Sequence, residues 1–228
     1  MIKGDLRKKQ ILETAEELFT MKGYEATGVQ DILDRLHLSK GSFYHHFESK
    51  ELVLQTICEN RAAKAAFGLS NQHYSDGLVR MNQLLTGMIP FSGEGLNFLK
   101  MILPVFVLPE GKSIRIGYQE ALKRAWYPLT EQALILMIEQ KQAYTVYPQV
   151  IAGIILDLVN DLWAQISQEM ILSEKECRQP ANPGILLALV EPYRISIENV
   201  LSTSYGSIRL LNLEDLAKVT NEIHNWWL

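Results

Sequence analysis

Cysteine is scarce in this chain of 228 residues, which carries only Cys58 and Cys177. The two stand far apart, without the spacing of a redox pair or of a zinc site. Both are expected as unpaired thiols in a reducing compartment, which fits the cytoplasm. No secretory signal pattern opens the chain, because its basic start runs straight into an amphipathic helix. Charges or prolines break the longest apolar runs short of a bilayer-spanning length, so no membrane partner is expected. Positive charge is not in excess: 22 Lys and Arg face 26 Asp and Glu, for a net charge of −4. That balance argues against a protein that coats nucleic acid nonspecifically. No run of alternating β-branched residues lies between hairpin turns, so no sheet is expected. Internal repeats and low-complexity tracts are also missing.

The patterns that carry chemistry in helical enzymes are missing too. There is no GxSxG, HExxH, Walker or GxGxxG pattern in a suitable context. His45 and His46 are adjacent, so on a helix they point about 100° apart. No cysteine or carboxylate stands at ligand spacing from them, and neither a metal nor a cofactor is expected. Asp157 and Asp161 form an i, i+4 carboxylate pair on an otherwise apolar helix, where solvent or a neighbouring cation is the expected partner. A helical-bundle enzyme is therefore the weakest of the function classes.

Helical periodicity is what the chain does have. Ile11, Ala15, Leu18 and Phe19 make the buried stripe of a first helix over about 5–22, which Gly23 stops. Thr27 then reads as an N-cap, with Gln30 completing a capping box. Val29, Ile32, Leu33 and Leu36 follow as one apolar stripe. After a break at His37–Leu38, Ser39 caps a second short helix that holds Phe43 and Phe47 one turn apart. Two short helices with a tight turn between them are the helix-turn-helix plan, whose second helix enters the DNA major groove.

The polar residues of that second helix give the plan its chemistry. Gly41 and His45 point away from Phe43, flanked by Ser42 and Tyr44, with Lys40 in the first turn. The glycine permits close approach, the hydroxyls and imidazole can bond phosphate or base edges, and the lysine neutralises charge. No acidic residue occurs from Leu36 to Phe47.

This run resembles the N-terminal domain of TetR-family transcriptional regulators. Thr27, Ile32, Ser39, Lys40, Gly41, Phe43, Tyr44, His46, Phe47, Ser49, Lys50, Glu51 and Leu52 match its signature, and the preceding ILETAEELFTMKGYEAT resembles its first helix. The match covers roughly the first quarter of the chain. It implies DNA contacts from Thr27, Lys40, Gly41, Ser42, Tyr44, His45, His46 and Lys50, with Thr27 and Lys50 on the phosphate backbone and the helix between them on the bases. One position departs from the pattern: His37 stands where the family usually has glycine. If that turn needs a positive φ, histidine adopts it at some cost.

The expected fold is all-α: a helix-turn-helix domain over residues 1–50, then a larger helical bundle over 51–228, with a fourth helix of about 50–67 linking them. Further helices are expected near 77–89, 94–108 (interrupted by Pro104), 114–142, 148–172, 185–204 and 213–227. Ser75 and Asn212 read as caps, PEGKS at 109–113 as a turn and 171–184 as a loop. The helices near 148–172 and 185–204 are apolar nearly all round, so they need burial on two sides. Either both are central helices of one monomer, or, as the resemblance implies, they form a homodimer interface. Met88, Phe91, Phe106, Tyr118, Trp126 and Trp163 are core candidates that together suit a mostly apolar cavity between helices. The resemblance implies that a small-molecule effector binds there and releases the DNA operator. A helix-turn-helix protein acting mainly through protein–protein contacts is the alternative.

Overall fold

The computed structural model describes residues 3–72, 74–88, 94–108 and 111–227. Ten α-helices account for most of them, and among the described residues there is no strand. They are α1 (Lys3–Lys22), α2 (Val29–Leu36), α3 (Lys40–Tyr44), α4 (Lys50–Ser70), α5 (Gly77–Gly87), α6 (Glu94–Ile102), α7 (Gly111–Glu139), α8 (Pro148–Leu172), α9 (Pro183–Leu201) and α10 (Leu213–Trp227). The all-α expectation holds, and α1, α8 and α10 fall within two residues of the spans read from periodicity.

Local signals explain most boundaries. Ser49 caps α4 by accepting the Leu52 N–H, and Asn212 accepts the Asp215 N–H at the start of α10. Pro148 occupies the first turn of α8, where its missing N–H costs nothing. Pro104 ends α6 early: the helix stops at Ile102, and the chain continues as a 3-10 turn over Val105–Val107. Residues 109 and 110 of the expected turn lie outside the described residues. The expected cap Ser75 is displaced by Asp76, whose carboxylate accepts the Val79 N–H at 2.9 Å. The expected loop at 171–184 begins later, because α8 runs on through a π-helical turn over Ser173–Cys177.

Packing places α4 at the centre. It lies against α1 on one side and α7 on another, while α7 also packs against α5 and α8, and α8 against α9. Two polar clasps fix this frame. Gln119 on α7 and Asn160 on α8 exchange bonds to each other's backbone carbonyls at 3.2 and 3.1 Å. At the other end of α7, Gln140 and Gln142 accept the N–H groups of Gly77 and Leu78, satisfying donors that the first turn of α5 leaves unpaired. Gly77 allows that approach: a Cβ there would lie 2.5 Å from the Met137 nitrogen.

The segment Pro148–Glu176, α8 with its extension, is long and apolar enough by length and composition to cross a membrane. This corrects the expectation that every apolar run falls short. Half of its apolar window is buried inside the protein, with Leu156, Leu162 and Ile166 in the core. Between α7 and α9 it is a central helix of the bundle. Asp157 on it bonds Lys123 at 2.6 Å, and Asp161 accepts from Gln165 and Tyr193, so the carboxylate pair is spent on protein partners.

Candidate nucleic-acid interface and internal cavity

Gly23 ends α1 with φ 86°, a conformation that glycine adopts without strain, and the chain reverses toward α2. The reversal carries Thr27 into the interior. Its side chain is fully buried, and its hydroxyl donates to the Gly23 carbonyl at 2.7 Å. Thr27 is thus neither the N-cap nor the outward phosphate ligand that the sequence led us to expect. Gly28 holds the cap position, and Asp31 rather than Gln30 reaches back to accept its N–H at 2.7 Å. The Lys22 ammonium, then the Gly28 N–H, hold the Asp31 carboxyl below its usual range.

The turn after α2 settles the histidine anomaly. His37 has φ 51° and ψ 48°, the left-handed conformation in which a helix commonly closes on glycine. Its N–H reaches back to Asp34, and the Leu38 N–H bonds the Leu33 carbonyl at 2.9 Å. The turn required of glycine is formed here by histidine.

Ser39 then caps α3 by accepting the Ser42 N–H at 3.3 Å. This helix is shorter than expected: it ends at Tyr44, and Phe47 lies beyond it. The Phe47 N–H nevertheless bonds the Phe43 carbonyl at 3.0 Å, one further helical turn of backbone. Both rings therefore face the same way, 6.2 Å apart between centroids, and both are buried. Burying a phenylalanine contributes about 1.5–3 kcal/mol, so the pair firmly fixes which face of α3 looks outward.

That outward face is open. Lys40, Gly41, Tyr44 and His45 are exposed, Ser42 and His46 half-buried. A Cβ on Gly41 would meet nothing within 4 Å, so the backbone there stands clear for a bulky partner. Tyr44 rests edge-on against Phe43, and His45 against His46. Lys8 and Lys9 on α1 are also exposed. Six of the eight residues expected at a DNA surface therefore lie on or beside one accessible face.

Lys50 behaves otherwise. Its ammonium donates to the carbonyls of Tyr24 and Thr27 at 2.9 and 3.0 Å and sits over the Tyr24 ring. It fastens the α1–α2 connection to the start of α4, a role that its place in the sequence did not reveal. Nearby, Tyr24 donates to Glu51, whose carboxyl is held low chiefly by its own backbone N–H, against the opposing effect of burial.

The second expected site is divided. Met88, Tyr118 and Trp126 line one cavity of about 250 Å³ between α4, α5, α6 and α7, together with Phe98 and Leu122. The Trp126 indole N–H is taken by the Leu84 carbonyl at 3.0 Å, so Trp126 offers the cavity an apolar surface. Burial pushes the Tyr118 hydroxyl well above its usual pKa, keeping it neutral and able to donate. Phe106 instead lines a separate cavity of about 370 Å³ with Arg115 and Ile171, and Trp163 is packed in the core, away from the first cavity. Phe91 lies outside the described residues. Among the lining residues missed from the sequence are the two charged ones, Arg61 and Lys64. The signal was available: they are the charged residues of an otherwise small and apolar run, RAAKAAF, on a helix that must pack on both sides.

Comparison with known proteins matches this architecture. Residues 11–57 match the family described as bacterial regulatory proteins, tetR family. The chain is 29% identical over 113 residues to an uncharacterised HTH-type transcriptional regulator, YerO, of Bacillus subtilis, covering 48% of this chain and 39% of YerO. It is 32% identical over 101 residues to the HTH-type transcriptional repressor NemR of Escherichia coli, covering 43% of this chain and 41% of NemR. The matches thus span about two-fifths of these relatives. The crystal structure of reduced E. coli NemR superposes with a TM-score of 0.51 at 22% identity, over 87% of this chain and 99% of that one. A regulator from Saccharomonospora viridis in complex with choline gives a TM-score of 0.51 at 20% identity, over 82% and 95%. At these identities the superpositions establish a shared fold.

Proposed function

We propose that the chain, whose residues 11–57 match the tetR family of bacterial regulatory proteins, is a cytoplasmic, effector-released transcriptional repressor of that family that binds a pseudopalindromic operator as a homodimer. The observation that carries the DNA reading is the two-faced α3: Phe43 is anchored in the core while Gly41, Tyr44 and His45 stand exposed. Lys40 neutralises phosphates, and Lys8, whose ammonium lies over the Phe47 ring, adds charge from α1. Ser42, Tyr44 and His45 reach base edges, and His46 lies at the margin. Thr27 and Lys50 contribute by shaping the α1–α2 connection from inside.

A homodimer supplies the second reading helix. Val150 and Ile154 on α8 and Ile185 and Ile195 on α9 are large apolar side chains exposed on two helices that already pack together. Pairing these faces about a two-fold axis buries them and sets two copies of α3 on successive major-groove faces. An effector in the cavity between α4 and α7 acts by favouring a spacing of the two reading helices that does not fit the operator.

Selection of binding sites from a random DNA pool tests this function directly. An inverted repeat whose half-sites lie about one helical turn apart is expected. His45→Ala should alter preference at particular base pairs by roughly 1–3 kcal/mol. Recovery of no preferred sequence at controlled salt would overturn the reading. For the dimer, Ile154→Glu with Ile185→Glu should yield monomers in analytical ultracentrifugation.

A further inference from the structure

Tyr118 of α7 is 4% exposed, yet its hydroxyl has no hydrogen-bond partner among the described residues. The hydroxyls of Thr130 and Ser167 also lack a partner, but they are sealed inside the core. The Tyr118 oxygen is not sealed, and the open space that Tyr118 borders is the cavity between α4, α5, α6 and α7. Cys58 and Arg61, both on α4, are the groups close enough to act on its ionisation, so the phenol points toward the α4 wall. Burial keeps its proton in place. A polar group buried without a partner costs free energy, which a bound acceptor recovers.

The walls around it are apolar and aromatic. The Phe98 ring lies tilted against the Tyr118 ring, 5.3 Å between centroids, and Leu122 and Trp126 continue the surface. Trp126 has already given its N–H to the Leu84 carbonyl at 3.0 Å and presents only its ring. Arg61 and Lys64 border the same space, but both are engaged by the protein, Arg61 with Glu16 at 2.7 Å. Their charge is therefore not on offer to a guest. The volume of about 250 Å³ exceeds the roughly 150 Å³ in which an apolar cavity holds benzene, so one substituted ring fits.

Resting on the effector reading above, we infer that the cavity takes a neutral one-ring aromatic guest bearing a carbonyl, and that the Tyr118 hydroxyl donates to that carbonyl. The ring packs on Phe98 and Trp126 in the offset or edge-on arrangements that aromatic pairs prefer. The carbonyl supplies the acceptor that Tyr118 lacks. Selection comes mainly from rejection: a guest of the same shape without an acceptor covers the hydroxyl and leaves it unpaired, away from water. A guest with a full charge gives up its hydration and meets no free counter-charge. Tyr118 is thus a specificity residue whose hydroxyl can be removed without weakening the fold.

The test uses the full-length protein with acetophenone, ethylbenzene and benzoate, read by ligand-detected NMR titration and by affinity for the selected operator. Acetophenone and ethylbenzene differ in hydrophobicity, so the readout is the ratio of their affinities, compared between the parent and Tyr118→Phe. That ratio should fall about tenfold in the variant, the loss of one buried hydrogen bond. Benzoate should bind at least about tenfold more weakly than acetophenone. Tyr118→Phe should keep its Tm, because the hydroxyl it removes bonds nothing in the free protein. An unchanged ratio, tighter binding of benzoate, no binding of acetophenone, or a Tyr118→Phe Tm lowered by several degrees would each overturn the inference. Release of the operator by any of the three probes would then leave the effector reading standing. Acetophenone bound through Tyr118 with operator affinity unchanged would instead overturn the effector reading and leave the guest class in place.

Discussion

Lys50 is bound to Tyr24 twice: its ammonium donates to the Tyr24 carbonyl at 2.9 Å and lies 4.1 Å from the centroid of the Tyr24 ring. A lysine engaged in this way differs from Lys40, which is exposed on the reading helix. Replacing Lys40 with alanine should weaken binding to all DNA sequences and reduce the salt slope by about 1. Replacing Lys50 with alanine should leave the salt slope nearly unchanged and lower stability by about 2 kcal/mol, the scale of hydrogen bonds to a charged group. Salt titrations of operator binding, alongside urea unfolding, separate the two.

His37 carries a backbone conformation that costs an L-residue roughly 1–2 kcal/mol relative to glycine. Its side chain is exposed, so little packing is lost by removing it. His37→Gly should therefore stabilise the protein by about 1 kcal/mol, seen as a higher Tm with an unchanged operator preference. A lower Tm would mean that the imidazole makes a contact that outweighs the backbone gain.

Glu198 is a buried carboxylate on α9. Its two oxygens each accept from Arg194 Nη1 at 2.8 Å, and one also accepts the Ile208 N–H at 3.1 Å. Burial alone would raise its pKa, but the Ile208 and Gly206 N–H groups with Arg194 pull it below the usual value. A carboxyl held low in the folded state contributes stability above its unfolded pKa of about 4.3 and loses it as pH falls through the folded value. Glu198→Gln should cost about 2 kcal/mol at pH 7. The gap to the parent should narrow on acidification below about pH 4, as followed by unfolding at stepped pH.

Cys58 is fully buried, and burial first, then Glu16 and Glu59, push its thiol far above the usual range. The thiolate is the reactive form and is scarce here at neutral pH. In a Cys177→Ser background, Cys58 should resist N-ethylmaleimide in the native protein and react promptly in denaturant, as measured by mass spectrometry. Rapid native labelling would show that the α1–α4 contact opens frequently.

How far the sequence could be read depended on the range of the interactions. Ser39 and Phe43 were legible because a cap and an apolar stripe act within a turn or two of helix. Thr27 misled because Thr27 and Gln30 have the spacing of a capping box. The choice of Gly28 and Asp31 instead depends on how Gly23 reverses the chain. Lys50 and Arg61 were misread or missed for a related reason: their partners, Tyr24 and Glu16, lie 26 and 45 residues away. No local pattern encodes such a meeting. The cavity list failed similarly, since Met88, Tyr118 and Trp126 converge while Phe106 and Trp163 take other places, and side-chain type alone does not distinguish them.

The double packing of α4 has a further consequence. Val53, Leu54 and Ile57 share one continuous apolar interior with Ile11, Phe19 and Phe43 toward one end and with Leu122 and Trp126 toward the other. A fragment cut at residue 50 would forfeit part of the floor on which Phe19 and Phe43 rest. The integrity of the helix-turn-helix region should therefore depend on the bundle behind it, and a fragment cut there should unfold more readily than the same residues in the whole chain.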